Sequence, residues 1–564
     1  MKLSLMTFMC EIPLIMEGEW TDEKTARVEE VIRQVSETGF TAIDITDNTV
    51  NFIGRERIKD LLAGLGLEVA SLICFYRLSD PFISDEEAIE PYLQGIKDAK
   101  YLGCKHLMLV PGIAPPEADT ESMTKAMIRR NRMIVQEAEK EGIACMVEDD
   151  PDITKGMCSL KDLKSMLDAV PGLKVVFDSA NMYPAGEQTV PYYEALSEYV
   201  IHTHIKDIAV ADEESVYTDR GVDGTLFMSV PHGTGMVDFE ELFRSLYKHG
   251  YDGYLAIEYV PAPGVSLKDD LKRVYRMFAS YVCRLSPGAN QFCLLGKLMA
   301  NPQEEVWKEV KKRGLGSIEV CILPDHSERV LEYQKVMAEK FNAKEPPRLP
   351  KWGEINDFVK GIRAAGLDVF SFHVMMADAY PSLIVECVPY IKEVAANTGV
   401  KHFVISCMFD SAEKTSEFLP YMQEAAHALR ESGIALCYHD HDMDCIPFEN
   451  GKSAMQMILE QCPDCMFQLD IGWAWYGKMD SLAFMRENGE RITSIHLKDF
   501  APDARERTDN GKFTAVGSGA APTREVLENL TLIDIAPGRL IIDQDASDND
   551  MYDEIESGVR FVRL

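Results

Sequence analysis

Two short phrases recur in this chain with the same spacing, and both carry residue types that ligate metals. The first copy reads VVFDSANMY and then IHTHIKDI; the second reads FQLDIGWAW and then SIHLKDF. Asp178 and His204 stand 26 positions apart, and so do Asp470 and His496. Each phrase is an apolar run closing on an acid, followed by an apolar run closing on His-x-Lys-Asp. Runs of this kind read as buried strands whose polar ends meet at one site. Two more strand-like runs of the first half, ACMVEDD and YLAIEYV, carry Glu148 and Glu258 at the same place. Four successive strand tips thus offer Glu148, Asp178, His204 and Glu258. Three carboxylates and one imidazole suit a divalent metal, Mn2+ first, with Mg2+, Co2+ and Zn2+ as alternatives. No thiolate stands at these tips, which argues against a structural zinc.

The second half offers Asp470, His496 and Asp543 at the matching tips. Its fifth strand departs from the first copy. Where Glu148 stands, the register gives His439 inside YHDHDMD, and His439 and Asp444 are the two candidates for a fourth ligand. The change from Glu258 to Asp543 shortens the reach by one methylene. The second site is therefore expected either to bind metal differently or to have lost catalysis. His202 shares a strand face with His204 one layer deeper. Ser494 takes that deeper position in the second copy, so His202 reads as a core or supporting histidine. Lys206 and Lys498 close the same strands, and each is expected to pair with acids or orient a substrate hydroxyl rather than to form a Schiff base. The aromatic GWAWYGK after Asp470 either stacks on a sugar ring or packs its own loop.

The elements that must position these residues alternate along the whole chain. The first half gives eight strand-like runs: LSLMTFM, TAIDIT, EVASLICFY, HLMLVPG, ACMVEDD, KVVFDSA, VIHTHIKD and YLAIEYV. Between most of them lie amphipathic stretches such as DEKTARVEEVIRQVSETG, apolar at i, i+3, i+4 and i+7 and stopped by glycine. Eight such units fit a (β/α)8 barrel, whose usual size is about 250 residues. A doubly wound open sheet would want a glycine-rich phosphate turn after its first strand, and MCEIP is not one. The second half repeats the plan: GFTAIDI answers GLGSIEV, GLEVASL answers GLDVFSF, GCKHLML answers GVKHFVI, EGIACMVED answers SGIALCYHD, and GYLAIEY answers GRLIIDQ. The offsets stay between 275 and 300 positions. The fold class expected is therefore α/β, two tandem TIM barrels, residues 1–285 and 286–564, joined near the LSPGAN turn. Each half has one insertion of the kind that shapes a pocket: residues 209–232 in the first, and KEPPRLPKWG in the second.

Composition narrows the function. A net charge of −34 argues against nucleic acid, which demands clustered Lys and Arg, and against an anionic membrane surface. No run approaches the ~18 apolar residues of a membrane span. The N-terminal MKLSLMTFMCEIPLIM is broken by Glu11 and lacks a small-residue cleavage site, so it reads as a strand followed by a loop, and the cytoplasm is the expected compartment. The 14 cysteines lie scattered in apolar runs and read as buried free thiols, the CPDC pair at Cys462 and Cys465 included.

LDIGWAWYGKMD, SIHLKDF and YHDHDMD in the second half, with HIKD and HGTGMVDFEELFRSLYKHGYDGYLAIE in the first, resemble the sugar phosphate isomerase/epimerase family, the xylose-isomerase-like barrels. The family's fifth-strand segment in such members is Tyr-His-Asn-His-x-x-Glu-Phe; in the second half Asp440 replaces the Asn and Asp444 the Glu, a departure that bears on the second site. The resemblance implies a divalent metal held by Glu148, Asp178, His204 and Glu258, and more weakly by Asp470, His496 and Asp543. It implies that Glu148 and Glu258 face each other across a keto-sugar, one removing a proton beside the carbonyl and the other returning it through a metal-stabilised enediolate. Asn181 and Arg220 are then candidates to contact substrate hydroxyls, with Lys206 and Lys498. The expected activity is isomerisation or epimerisation of a small sugar or polyol derivative. The alternative is a lyase or dehydratase, glycoside cleavage included; an apurinic endonuclease of the same fold would want three zincs and a basic groove. No phosphate cradle is visible. Barrels of this kind pair, so the fusion is expected to set its halves together as an internal pseudo-dimer.

Overall fold

The computed structural model describes residues 1–8, 14–15, 17–112, 115–215, 217–340, 349–375 and 377–564. The loop expected behind the first strand falls largely at residues 9–13 and 16, and the proline-rich insertion at residues 344–348; these lie outside the described residues. The chain divides into two compact units, Met1–Phe278 and Ala279–Leu564, with the helix Leu267–Leu285 running through the division.

In the first unit eight parallel strands close into a barrel in sequence order. They are β1 (Lys2–Met6), β2 (Ala42–Thr46), β3 (Glu68–Phe75), β4 (His106–Val110), β5 (Ala144–Val147), β6 (Lys174–Asp178), β7 (Val200–Ile205) and β8 (Tyr254–Glu258). β1 closes the ring by pairing with β8, Lys2 opposite Tyr254 through Met6 opposite Glu258. The second unit repeats this with β9 (Gly288–Asn290), β10 (Ser317–Ile322), β11 (Phe372–Val374), β12 (His402–Ile405), β13 (Ala435–His439), β14 (Met466–Asp470), β15 (Ile492–Leu497) and β16 (Leu540–Ile542), again closed in sequence order. The fold is α/β with two tandem TIM barrels, as the alternation of runs predicts. Even the irregularity repeats: the register between sixth and seventh strands shifts at Val175/Val176 and again at Phe467/Gln468.

Local chemistry explains the outer helices. Thr21 opens the helix Asp22–Thr38 by accepting a bond from Lys24 N, and Gly39 closes it at φ 115°, a left-handed turn that glycine takes without penalty. Val28, Ile32 and Val35 form the buried stripe between those caps. Inside the first barrel Met6, Ile73, Met108, Met146 and Val176, one from each of five strands, pack as a layer that supports the rim.

The last residue of each His-x-Lys-Asp phrase has a structural role. Asp207 Oδ2 accepts from Gly233 N at 2.9 Å and Gly235 N at 2.8 Å, and Oδ1 accepts from Val237 N at 3.3 Å. Asp499 does the same for Gly517, Gly519 and Ala521 at 3.0, 2.9 and 3.0 Å. A Cβ on Gly235 would lie 2.2 Å from Asp207 Oδ1, and one on Gly519 2.3 Å from Asp499 Oδ1, so both loops need glycine at the close approach. The insertion at residues 209–232 folds as a small antiparallel sheet of Asp207–Val210, Leu226–Val230 and Thr218–Arg220. Among the described residues no helix is long and apolar enough to cross a membrane, and the described cysteines are buried and free.

Candidate metal centres

In the first barrel the strand register sets Asp178 beside His204. In-register neighbours of parallel strands project to the same side, so both point into the barrel mouth. Glu148, directly after β5, reaches the same point: His204 Nδ1 donates to Glu148 Oε1 at 2.6 Å. One ligand atom from each of Glu148, Asp178 and His204 lies within 4.8 Å of the others. Asp178 Oδ1 accepts from Ala180 N and Asn181 N at 2.7 and 2.8 Å, while its buried Oδ2 has no hydrogen-bond donor. An anchored carboxylate with one orphaned oxygen, next to an imidazole and a second carboxylate, is the donor set of a divalent cation, and the residues fit one.

The ammonium of Lys206 sits among the acids, 3.8 Å from Asp178 Oδ1 and 3.9 Å from Glu258 Oε2. Asn181 Oδ1 accepts a bond from it, and Asn181 Nδ2 is tied to Asp149 O at 2.9 Å. Burial acts to neutralise Lys206, but Asp178, Glu258 and Glu148 outweigh it and hold the ammonium well above the usual lysine range. Burial lifts the Glu258 carboxyl to about 7 against the pull of Lys206, with Asp178 and Glu148 adding to the rise. Burial, then Asp178 and Glu148, push Asp149 well above the usual carboxylate range. Beneath lies Asp44, on β2, which accepts from His202 Nε2 and Ser4 Oγ at 2.6 Å each and lies 3.9 Å from His204 Nε2. Burial alone would raise Asp44; His202 and His204 hold it well below the carboxylate range.

The second barrel gathers His439, Asp470 and His496 within the same 4.8 Å limit. Asp470 Oδ1 caps the following short helix through Trp473 N at 2.8 Å, and the buried Oδ2 has no donor. His439 Nε2 and His496 Nδ1 each lie 3.9 Å from that oxygen. Glu319, on β10, accepts four bonds of 2.7 Å, from His496 Nε2, Gln468 Nε2, Ser371 Oγ and Asn290 Nδ2. Lys498 is bound more tightly than Lys206: its Nζ is 2.9 Å from both Asp543 Oδ2 and Asp545 Oδ2, and 3.5 Å from Asp470 Oδ2. Burial would raise Asp543, yet Lys498 and His496 hold it well below the usual range.

Of the residues singled out from sequence, Glu148, Asp178 and His204 converge, as do His439, Asp470 and His496. The eighth-strand acids Glu258 and Asp543 belong to neither 4.8 Å group and instead flank the lysines. Asp444 does not join the second cluster. Its oxygens accept from Phe409 N at 2.7 Å and His441 N at 2.9 Å, the bonds of a helix cap, so His439 occupies the position opposite Glu148. Arg220 is half exposed on the small sheet and pairs with Glu214 at 2.8 Å. Its neighbour Asp219 is the residue of that strand that senses Lys206. His202 bonds to Asp44 at 2.6 Å, and one ligand atom from each of Asp44, His202 and His204 also lies within 4.8 Å of the others. The ring of Trp473 packs against Tyr476, Phe500, Phe513 and His441, which matches the loop-packing alternative. Sequence reasoning missed Asp44, Glu319, Gln468 and Asp545. The signal for the first two was present: GFTAIDI and GLGSIEV each place one acid, in the same column, inside an apolar strand.

The family model for xylose isomerase-like TIM barrels matches residues 32–278. An inosose dehydratase of Clostridium perfringens is 33% identical over 97 residues, 16% of this chain and 32% of that protein. The rhizopine catabolism protein MocC of Rhizobium meliloti is 27% identical over 227 residues, 36% of this chain and 65% of its own length. The matches to the first of these curated relatives thus span about a third of their length. Among solved structures, a D-allulose 3-epimerase from Methylomonas sp. is 18% identical over 50% of this chain and 98% of its own, with a TM-score of 0.39.

Proposed function

We propose that this chain, whose first barrel belongs to the xylose isomerase-like TIM barrel family, is a divalent-metal-dependent isomerase or epimerase of a ketosugar or cyclic keto-polyol. The observation that carries the reading is the convergence of Glu148, Asp178 and His204 at one mouth of the first barrel, with Asp178 Oδ2 buried and undonated. Glu148, Asp178, His204 and Glu258 would hold the cation, with Mn2+ the ion best suited to three carboxylates and one imidazole. When bound, it supplies positive charge where the substrate carbonyl gains negative charge.

The chain's own groups do the rest. Glu148 and Glu258 form the proton-transfer pair: one carboxylate takes the proton from the carbon beside the carbonyl, the other returns a proton to the neighbouring carbon or the opposite face. Burial holds the Glu258 carboxyl above the usual carboxylate range, which suits a group that accepts and then delivers a proton. Lys206, held by Asn181, stays charged and offers a hydrogen bond to a substrate hydroxyl. Asp44, bonded to His202 and 3.9 Å from His204 Nε2, keeps its negative charge beneath the His204 imidazole.

A second reading, β-elimination of water from the same class of ketone, is favoured by the names of the curated relatives. Both begin with the same proton abstraction and part afterwards. Protein loaded with Mn2+ is incubated in D2O with inosose and with a panel of ketohexoses, followed by proton NMR. Exchange beside the carbonyl with carbon skeleton and hydroxyls intact is the expected result. Loss of a hydroxyl in step with exchange establishes the dehydratase instead. No exchange in any ketone by metal-loaded protein overturns both.

A further inference from the structure

We infer that the second barrel holds a metal ion of a different class from the first: a zinc-type ion bound by His439 Nε2, Asp470 Oδ2 and His496 Nδ1. The surrounding hydrogen bonds prepare these three atoms. His439 Nδ1 and Gln468 Oε1 are 3.0 Å apart, so the ring donates there and turns Nε2, its lone-pair nitrogen, toward Asp470. Gln468 is itself fixed, its Nε2 donating to Glu319 Oε2 at 2.7 Å. The same Glu319 takes the Nε2–H of His496 on its other oxygen at 2.7 Å; His496 Nδ1 bonds to Asp543 Oδ2 at 3.2 Å and lies 3.9 Å from Asp470 Oδ2, and a cation bound there would take the place of the Nδ1 proton. Asp470 Oδ2 is buried without a donor while Oδ1 anchors the carboxylate. Two imidazoles with their second nitrogens tied to buried acceptors, aimed at one undonated carboxylate oxygen, form a prearranged ligand set.

The donor chemistry separates this centre from the first. His439 replaces Glu148, so the second barrel offers two nitrogens and one oxygen where the first offers one nitrogen and carboxylates. Nitrogen-rich sets favour Zn2+, Co2+ and Ni2+ over Mn2+ and Mg2+. Asp543 bonds to Lys498 and lies 3.2 Å from His496 Nδ1. It is therefore not offered freely as the eighth-strand partner, and a three-ligand site with one position left for solvent results. The replacement also removes the paired glutamates, so this centre lacks the proton-transfer pair proposed for the first barrel. The inference does not depend on that reaction.

The test uses the full chain, stripped by chelator and reloaded with one equivalent of Zn2+ in the presence of excess Mn2+. Zinc K-edge X-ray absorption is expected to show two imidazole nitrogens on the zinc. One imidazole or none places the zinc elsewhere and overturns the proposal. His439→Gln is expected to lose the zinc while keeping the bound Mn2+, which also reports that the chain is folded. Gln468→Leu, which frees the His439 ring without touching a ligand, is expected to weaken zinc binding by about 10–100-fold. Zinc retained at full affinity in both variants, or lost only in Asp178→Asn, overturns it. Failure of ketone exchange with normal zinc binding would sink the proposed reaction alone.

Discussion

Lys498→Met isolates the charge balance of the second barrel. The Lys498 side chain is 1% exposed, with Nζ 2.9 Å from Asp543 Oδ2 and Asp545 Oδ2 and 3.5 Å from Asp470 Oδ2. Methionine keeps an unbranched apolar chain and deletes the charge, and with it the ammonium 4.9 Å from the Trp473 ring centroid. Removing one partner of a buried ion pair costs about 3–5 kcal/mol; Asp545 is partly in water, which screens its share, so about 3–4 kcal/mol is expected at pH 7.5 without metal. A urea slope near 2.5 kcal/mol/M for a unit of this size turns that into a midpoint lower by about 1–2 M. The loss depends on pH with a definite sign. In the wild type Asp543 titrates below its unfolded value, so its contribution is present above that value and is lost as pH falls. In the variant the unneutralised carboxylates titrate above the unfolded value. The folded state then takes up protons first, and stability rises as pH falls toward 5, by about 1.4 kcal/mol for each unit of raised pKa. Tryptophan fluorescence reads the second barrel, since Trp307, Trp352, Trp473 and Trp475 lie there against Trp20 alone in the first. A midpoint shift under about 0.4 M, equivalent to about 1 kcal/mol, or a shift that does not shrink between pH 7.5 and 5.5, refutes the reasoning.

Glu148→Gln and Glu258→Gln should each slow ketone exchange by about 10²–10⁴-fold with unchanged circular dichroism; rates within tenfold of wild type would remove that residue from the proton path. Asp44→Asn turns an amide nitrogen toward a donor, His202 Nε2 or Ser4 Oγ, and should weaken Mn2+ binding by the first barrel about 10–100-fold by calorimetry; unchanged affinity would make Asp44 a core group only. Gly519→Ala drives a Cβ to 2.3 Å from Asp499 Oδ1 and Phe500 O and should cost about 1–3 kcal/mol in thermal unfolding. Gly64→Ala, in a helix with nothing within 4 Å of the added carbon, should cost nothing; equal losses at both positions would deny the close-approach argument.

The barrel itself was legible because short apolar runs and period-3.6 patterns alternate, and because two copies of the pattern check one another. The β6 and β7 tips were legible for a sharper reason: Asp178 with His204 and Asp470 with His496 share strand register, and register preserves sequence spacing. What escaped were contacts that cross the barrel. Asp44 meets His202 across 158 positions and Glu319 meets His496 across 177, distances at which no local pattern survives. Asp444 was ambiguous in sequence because a helix cap and a metal ligand ask for the same residue type. Only the backbone path, which presents Phe409 N and His441 N to its oxygens, separates them.

The two barrels keep one acid–imidazole link by different lengths. In the first, Asp44 is short and spends its close bond on His202, so His204 Nε2 is left without a donor or acceptor partner at 3.9 Å. In the second, Ser494 takes the place of His202, and Glu319, one methylene longer, reaches past it to His496 Nε2. The fifth strand changes in step: His439 in place of Glu148, with Gln468 in place of Val176 to hold the new imidazole. Each exchange alone would leave a buried polar group unmatched, at a cost of about 1–3 kcal/mol. Together they tie His439, Gln468, Glu319 and His496 into one hydrogen-bonded network, beside which Asp470 Oδ2 and Ser494 Oγ stay without a partner. That coordination is what the ligand set proposed for the second barrel requires. A decaying copy would replace its polar groups by apolar ones, and Glu319 with four donors shows the opposite.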